Sequence, residues 1–167
     1  MVAVPDAAIM QGELMELILW RHAQAVDADG TIDDLKRSLT QEGEHQAAEM
    51  AAWLARHMPT DTRILVSPAL RTRQTVLRLT KRNYTIVPEL APDRNADDLL
   101  QAAGWPDAGG TVLVVGHQPI LGDVAQRLLG MQMSCSVKKG AVWWLQKRVR
   151  EDQEQVVLKA VQNPRML

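Results

Sequence analysis

The sequence predicts one α/β domain, a three-layer α/β/α sandwich around a mostly parallel central sheet. Three observations carry this. Short apolar runs alternate with helix-like stretches, which is the mark of α/β architecture. The connections between the early runs are long enough to hold crossover helices, so those strands run parallel. The chain has 167 residues with 46% apolar composition, enough for one core of ordinary size.

The elements follow in order. Leu14 to Trp20 (LMELILW) is a buried strand. Glu44 to Met58 is a helix, because Ala47, Met50, Ala51, Leu54 and Met58 recur on one face and Pro59 stops it. Arg63 to Val66 is a second strand and Ala69 to Leu79 a second helix. Tyr84 to Val87 is a third strand, closed by Pro88. Asn95 caps a short helix running to Ala103, with Gly104 as its stop. Thr111 to Val115, nearly all β-branched, is the clearest buried strand. Pro119 opens a further helix and Gly130 ends it. Ala141 to Leu145 and Gln155 to Val161 form an antiparallel hairpin, with the charged stretch Arg148 to Glu154 as its loop. Residues 1–13 read as an N-terminal extension, and 14–167 as the domain.

Bulk chemistry narrows the function. The net charge is -1 and no basic run interleaved with aromatics occurs, which argues against nucleic acid as a partner. No apolar run reaches the ~20 residues of a membrane span, so no membrane role is expected. The single cysteine, Cys135, excludes an internal disulfide, and residues 1–13 lack the charge order of a secretory signal. The expected location is the cytoplasm. Cys135, His45, His57, Arg73 and Arg78 read as structural or solvent-facing residues, and the pair Trp143-Trp144 as packing.

Three strands run directly into unusual polar residues. LMELILW leads to Arg21-His22, RILV to Ser67 and then Arg71, and TVLVV to Gly116-His117. In open α/β sheets ligands bind at the carboxyl ends of the strands. Two imidazoles, two guanidiniums and a hydroxyl on one rim suit an anion, and the guanidinium fork suits phosphate. The helix opening at Pro119 adds backbone N–H groups. A neutral imidazole can attack phosphorus, while guanidiniums offset the charge on its oxygens. No metal or other cofactor is required.

These blocks resemble a known family. LILWRHAQA is similar to the Arg-His-Gly block of the histidine phosphatase, or phosphoglycerate mutase-like, superfamily. RSLTQEG (37–43), SPALRTRQT and VLVVGHQPIL resemble its Leu-Thr-x-x-Gly, Ser-Pro-x-x-Arg-x-x-Gln-Thr and Gly-His-x-Pro blocks. The resemblance implies that His22 is a nucleophile that becomes phosphorylated, that Arg21 and Arg71 clamp the phosphate, and that His117, as a cation, is a further contact. Ser67 and the backbone N–H of Gln118 would assist. Arg73 lies close, but the spacing of the block selects Arg71. One departure stands out: Ala23 replaces the block's glycine, which is tolerable unless that position needs positive φ.

The short chain leaves little for a lid, and the Pro88-Glu89-Leu90 segment adds to a likeness to SixA-type phosphohistidine phosphatases. Glu89 is the acid candidate and substrate contact. The expected partner is a phosphohistidine-bearing phosphotransfer protein. The alternatives are a phosphatase of small phosphate esters and a non-catalytic phosphoprotein-binding module.

Overall fold

The computed structural model describes residues 14–79 and 81–166. The extension expected over residues 1–13 lies outside them. Six strands form one sheet: β1 (Met15–Arg21), β2 (Arg63–Val66), β3 (Thr85–Ile86), β4 (Gly110–Gly116), β5 (Val142–Arg150) and β6 (Gln153–Gln162). Among the described residues four α-helices accompany them: α1 (Gln41–His57), α2 (Leu70–Val76), α3 (Ala96–Ala103) and α4 (Ile120–Leu129). The strand order is β3-β2-β4-β1-β5-β6. β1, β2, β3 and β4 are parallel, and β5 and β6 add an antiparallel hairpin at one edge.

The period of two along the central strands divides the core between the two faces. Leu17, Leu19, Val112 and Val114 pack with Leu99 of α3 and Leu121 and Val124 of α4. Ile18, Trp20, Leu113 and Val115 face the other way, onto Met50 and Leu54 of α1 and Val76 of α2. Both faces of β1 and β4 are therefore dry. That explains why these strands read as unbroken apolar runs.

Most boundaries match the sequence reading. Asn95 makes a capping box with Asp98, and Gly104 and Gly130 close α3 and α4 in the left-handed region. α1 starts earlier than its apolar stripe suggests. Thr40 Oγ1 accepts from the N–H of Gly43, so the Leu-Thr-x-x-Gly block is itself the cap and first turn. Gly43 is required there, because a Cβ would run into the carbonyl of Gln24.

The hairpin departs from expectation. Arg148 to Arg150 and Gln153-Glu154 belong to the strands, and only Glu151-Asp152 make the turn, with φ of 52° and 60°. Positive φ at both turn positions twists with the strands and keeps the ladder intact. The tip stands in solvent, so its charges do not oppose strand formation. Trp143 is half-buried on the α3/α4 side and Trp144 is buried on the other, as packing side chains.

Register sets the rim. Arg21 pairs with Gly116, and Val66 with Val115. The ladder continues one step further: His22 N–H donates to Gly116 O and Ser67 N–H to Val115 O, both at 3.1 Å. The residues that follow β1, β2 and β4 are thereby held side by side.

Candidate active site

A pocket of about 260 Å³ opens at this rim, and Arg21, His22, Arg71, His117 and Gln118 all line it. His22 is only 6% exposed. Its Nδ1 lies 2.7 Å from its neighbour's carbonyl, Ala23 O. A carbonyl can only accept, so Nδ1 carries the proton and Nε2 keeps its lone pair. Burial lowers the His22 pKa to about 3, with help from the charges of Arg71, Arg21 and Arg37 and against the Ala23 hydrogen bond. The imidazole is neutral at physiological pH.

His117 lies opposite, its ring centroid 5.3 Å from that of His22. Its Nε2 is 2.7 Å from Ser67 Oγ. Burial, the neighbouring His22 and Arg71 lower its pKa to about 2. The expectation of a cationic His117 is thus corrected for the free protein: the ring is neutral there, because burial first, and then the neighbouring His22 and the Arg71 charge, disfavour the cation. Ser67 is corrected as well. It is fully buried, it does not line the pocket, and its hydroxyl supports His117.

The arginines are anchored from behind. Arg21 Nη1 donates to Val137 O at 2.9 Å. Arg71 Nη1 donates to Asp34 O at 2.7 Å, and its Nη2 pairs with the Asp34 carboxylate at 3.1 Å. Three buried nitrogens have no partner among the described residues: Arg21 Nε, Arg71 Nε and His117 Nδ1. Unpartnered buried polar atoms are rare and costly. All three belong to pocket residues, where an oxyanion would supply acceptors. Gln118 spends its side chain on Gly122 N and Cys135 O, which fixes the loop entering α4.

Three participants escaped the sequence reading. Arg37 and Lys139 line the pocket, and Asp34 pairs with both Arg71 and Arg37. Arg37 opens the RSLTQEG block and could have been noticed there. Nothing in the local pattern marks Asp34.

Glu89 does not line this pocket, contrary to expectation. The turn Pro88–Leu90 buries Leu90 and leaves Glu89 exposed, beside Asp98 and Gln101 in a separate hollow. Ala23 has no positive φ, its N–H donates to Thr75 Oγ1, and glycine is not needed. Arg73, Arg78, His45 and His57 are exposed, and Cys135 is a half-buried free thiol. Among the described residues no helix is long and apolar enough to cross a membrane, and no His, Cys, Asp and Glu side chains group as a metal site.

Relatives share this arrangement of chain. The profile of the histidine phosphatase superfamily (branch 1) matches residues 17–92. An uncharacterized protein of Picosynechococcus sp. is 35% identical over 122 residues, covering 68% of this chain and 73% of its own. A structure designated the phosphohistidine phosphatase SixA, from Nakamurella multipartitia, superposes with a TM-score of 0.72 at 26% identity, over 90% of this chain and 96% of that one. A SixA structure from Agrobacterium tumefaciens gives 0.75 at 22% identity, over 89% and 97%. A protein histidine phosphatase SixA complexed with tungstate gives 0.71 at 23%, over 91% and 99%. With its SixA-type fold and the matched block around Arg21-His22, this chain belongs to the histidine phosphatase superfamily and is a phosphatase.

Proposed function

We propose that the protein hydrolyses phosphohistidine on a phosphotransfer or signalling protein, through a phosphohistidine formed on its own His22. The observation that carries this reading is the state of His22: neutral, oriented through Nδ1, and presenting a free Nε2 among Arg21, Arg37 and Arg71.

The reaction has two steps. His22 Nε2 donates its lone pair to phosphorus while the substrate's P–N bond breaks. The electron pair stays on the leaving imidazole, which takes a proton from solvent. Water then attacks phosphorus, the P–Nε2 bond breaks, and inorganic phosphate leaves. Arg21 and Arg71 bind the equatorial oxygens, whose charge they offset in both transition states. His117 Nδ1 is a third contact, and bound phosphate would favour its protonation.

The leaving group is argued from proton supply. Alkoxides need a strong acid in position, whereas an imidazole nitrogen is readily protonated. The carboxylate held against the clamp is Asp34. Burial works to raise its pKa, but the hydrogen bonds and charges of Arg37 and Arg71 win and hold it below the usual range. It is ionised at neutral pH and has no proton to give. A phosphoramidate substrate fits such a site.

The test is phosphate release from a phosphohistidine-bearing phosphotransfer protein, with a metal chelator present. The wild type should turn it over and show an acid-labile phosphoenzyme, and His22→Ala should lose at least about a thousandfold in kcat. Higher kcat/KM on sugar phosphates would replace this reading with a small-ester phosphatase. Phosphate binding without turnover of any substrate would leave a binding module.

A further inference from the structure

A second, larger pocket of about 450 Å³ adjoins the first and shares Arg21 and Lys139 with it. Its other walls include Lys138, Arg165, Gln46 and Asn163. Among the described residues four of its lining side chains are cationic and none is acidic, in a chain whose net charge is -1. This is a local concentration of positive charge built from three separate segments.

We propose that this pocket is a specificity subsite for a second anionic group of the substrate, a carboxylate on an acidic side chain flanking the phosphohistidine. The idea rests on the phosphohistidine reading above. Three observations support it.

First, Arg21 bridges the two pockets, so a ligand in the second lies beside the phosphoryl group in the first. Second, the backbone is rigidly placed. Val137 is buried with its carbonyl on Arg21 Nη1, Gly140 N–H donates to His22 O, and Pro164 is buried against Gly140. The lysines between Val137 and Gly140 are thus exposed on a short loop tied to the catalytic strand at both ends. Third, the cations are little committed. Arg165 pairs with Glu42 at 3.1 Å, but that pair is largely exposed and a substrate carboxylate can compete with it. Lys138 and Lys139 have no ion pair among the described residues. Gln46 and Asn163 supply amides that suit a carboxylate.

Exposed charge pairs are individually weak and screened by salt, so the effect should fall mainly on KM. Two phosphohistidine peptides test this, identical except that one carries Asp and Glu beside the phosphohistidine and the other Asn and Gln. p-Nitrophenyl phosphate, which carries no carboxylate, is the reference. The wild type should prefer the acidic peptide by about tenfold in kcat/KM at low salt. Lys138→Ala/Arg165→Ala, at two exposed positions outside the catalytic pocket, should abolish the preference and leave p-nitrophenyl phosphate turnover unchanged. Equal use of the two peptides by the wild type, or an undiminished preference in the variant, overturns the subsite. If neither peptide is hydrolysed while p-nitrophenyl phosphate is, the phosphohistidine reading falls. The subsite is then decided by inhibition: the acidic peptide must compete more tightly than the neutral one in the wild type and not in the variant.

Discussion

The two ends of β1 treat buried polar groups in opposite ways. Near the start, Glu16 is 6% exposed and every approach to its carboxylate is taken. It accepts from Trp144 Nε1 at 3.0 Å, Gln146 Nε2 at 2.9 Å and Lys159 Nζ at 2.6 Å, with Thr111 Oγ1 at 3.4 Å. At the other end, Arg21 and His22 stand in a group of donors and cations that leaves Arg21 Nε, Arg71 Nε and His117 Nδ1 unpartnered. A saturated network serves the fold, because nothing further can bind it. An unsaturated one costs stability and is tolerated where a ligand completes it.

Substitution at each end sharpens this contrast most. His22→Ala should remove catalysis, as stated above, while changing unfolding free energy by no more than about 1 kcal/mol. Glu16→Ala should do the reverse. It leaves the Trp144 and Gln146 donors without their acceptor and should cost about 2–4 kcal/mol. Turnover per folded molecule should then stay within about twofold, since the two ends share no partner. Urea unfolding and active-site-normalised kinetics check both arms. Loss of turnover in a folded Glu16→Ala protein would break the division between the ends.

Acid should expose the cost of the unsaturated end. In the unfolded chain histidine titrates near 6.5, whereas the folded protein holds His22 at about 3 and His117 at about 2. Between those values the unfolded chain binds protons that the native state refuses. Stability from these two groups is therefore intact above about pH 6.5 and falls as pH drops through the window. From pH 7 to pH 5 each contributes a loss of about 2 kcal/mol. Urea midpoints for wild type and His117→Gln at the two pH values give the test, and the variant should lose less. Equal losses would mean that His117 is not held neutral.

The same division explains what the sequence could show. Arg21, His22 and His117 are legible because each stands at the end of an apolar run whose strand nature is plain, and Arg71 because SPALRTRQT resembles the family's Ser-Pro-x-x-Arg-x-x-Gln-Thr block. Asp34 lies in a long connection with no periodicity, and only the folded chain brings its carbonyl and carboxylate onto Arg71. Glu89 was misplaced because the tertiary fold decides which residue of the Pro88–Leu90 turn is buried, and Leu90 takes that place. The hairpin is longer than the sequence suggests because Glu151-Asp152 is a less familiar two-residue turn than Asn-Gly, and the charged strand ends have no apolar face to reveal them.

Asp34 joins the two ways of handling charge, and its removal should have the smallest effect. Its side chain is half exposed, yet it pairs with Arg71, which is 3% exposed. It anchors the clamp from behind, and it also sets a negative charge near the incoming phosphate. Asp34→Asn separates these roles, because the amide oxygen can still accept from Nη2 and the backbone carbonyl still holds Nη1. If repulsion of the ligand dominates, inorganic phosphate should inhibit the variant about three- to fivefold more tightly at neutral pH, the gain being limited by solvent screening. The gain should shrink as pH falls and the wild-type carboxylate becomes protonated. Weaker inhibition would instead mean that the charge on Asp34 is needed to aim Arg71, placing the carboxylate with the saturated, structural half of the molecule.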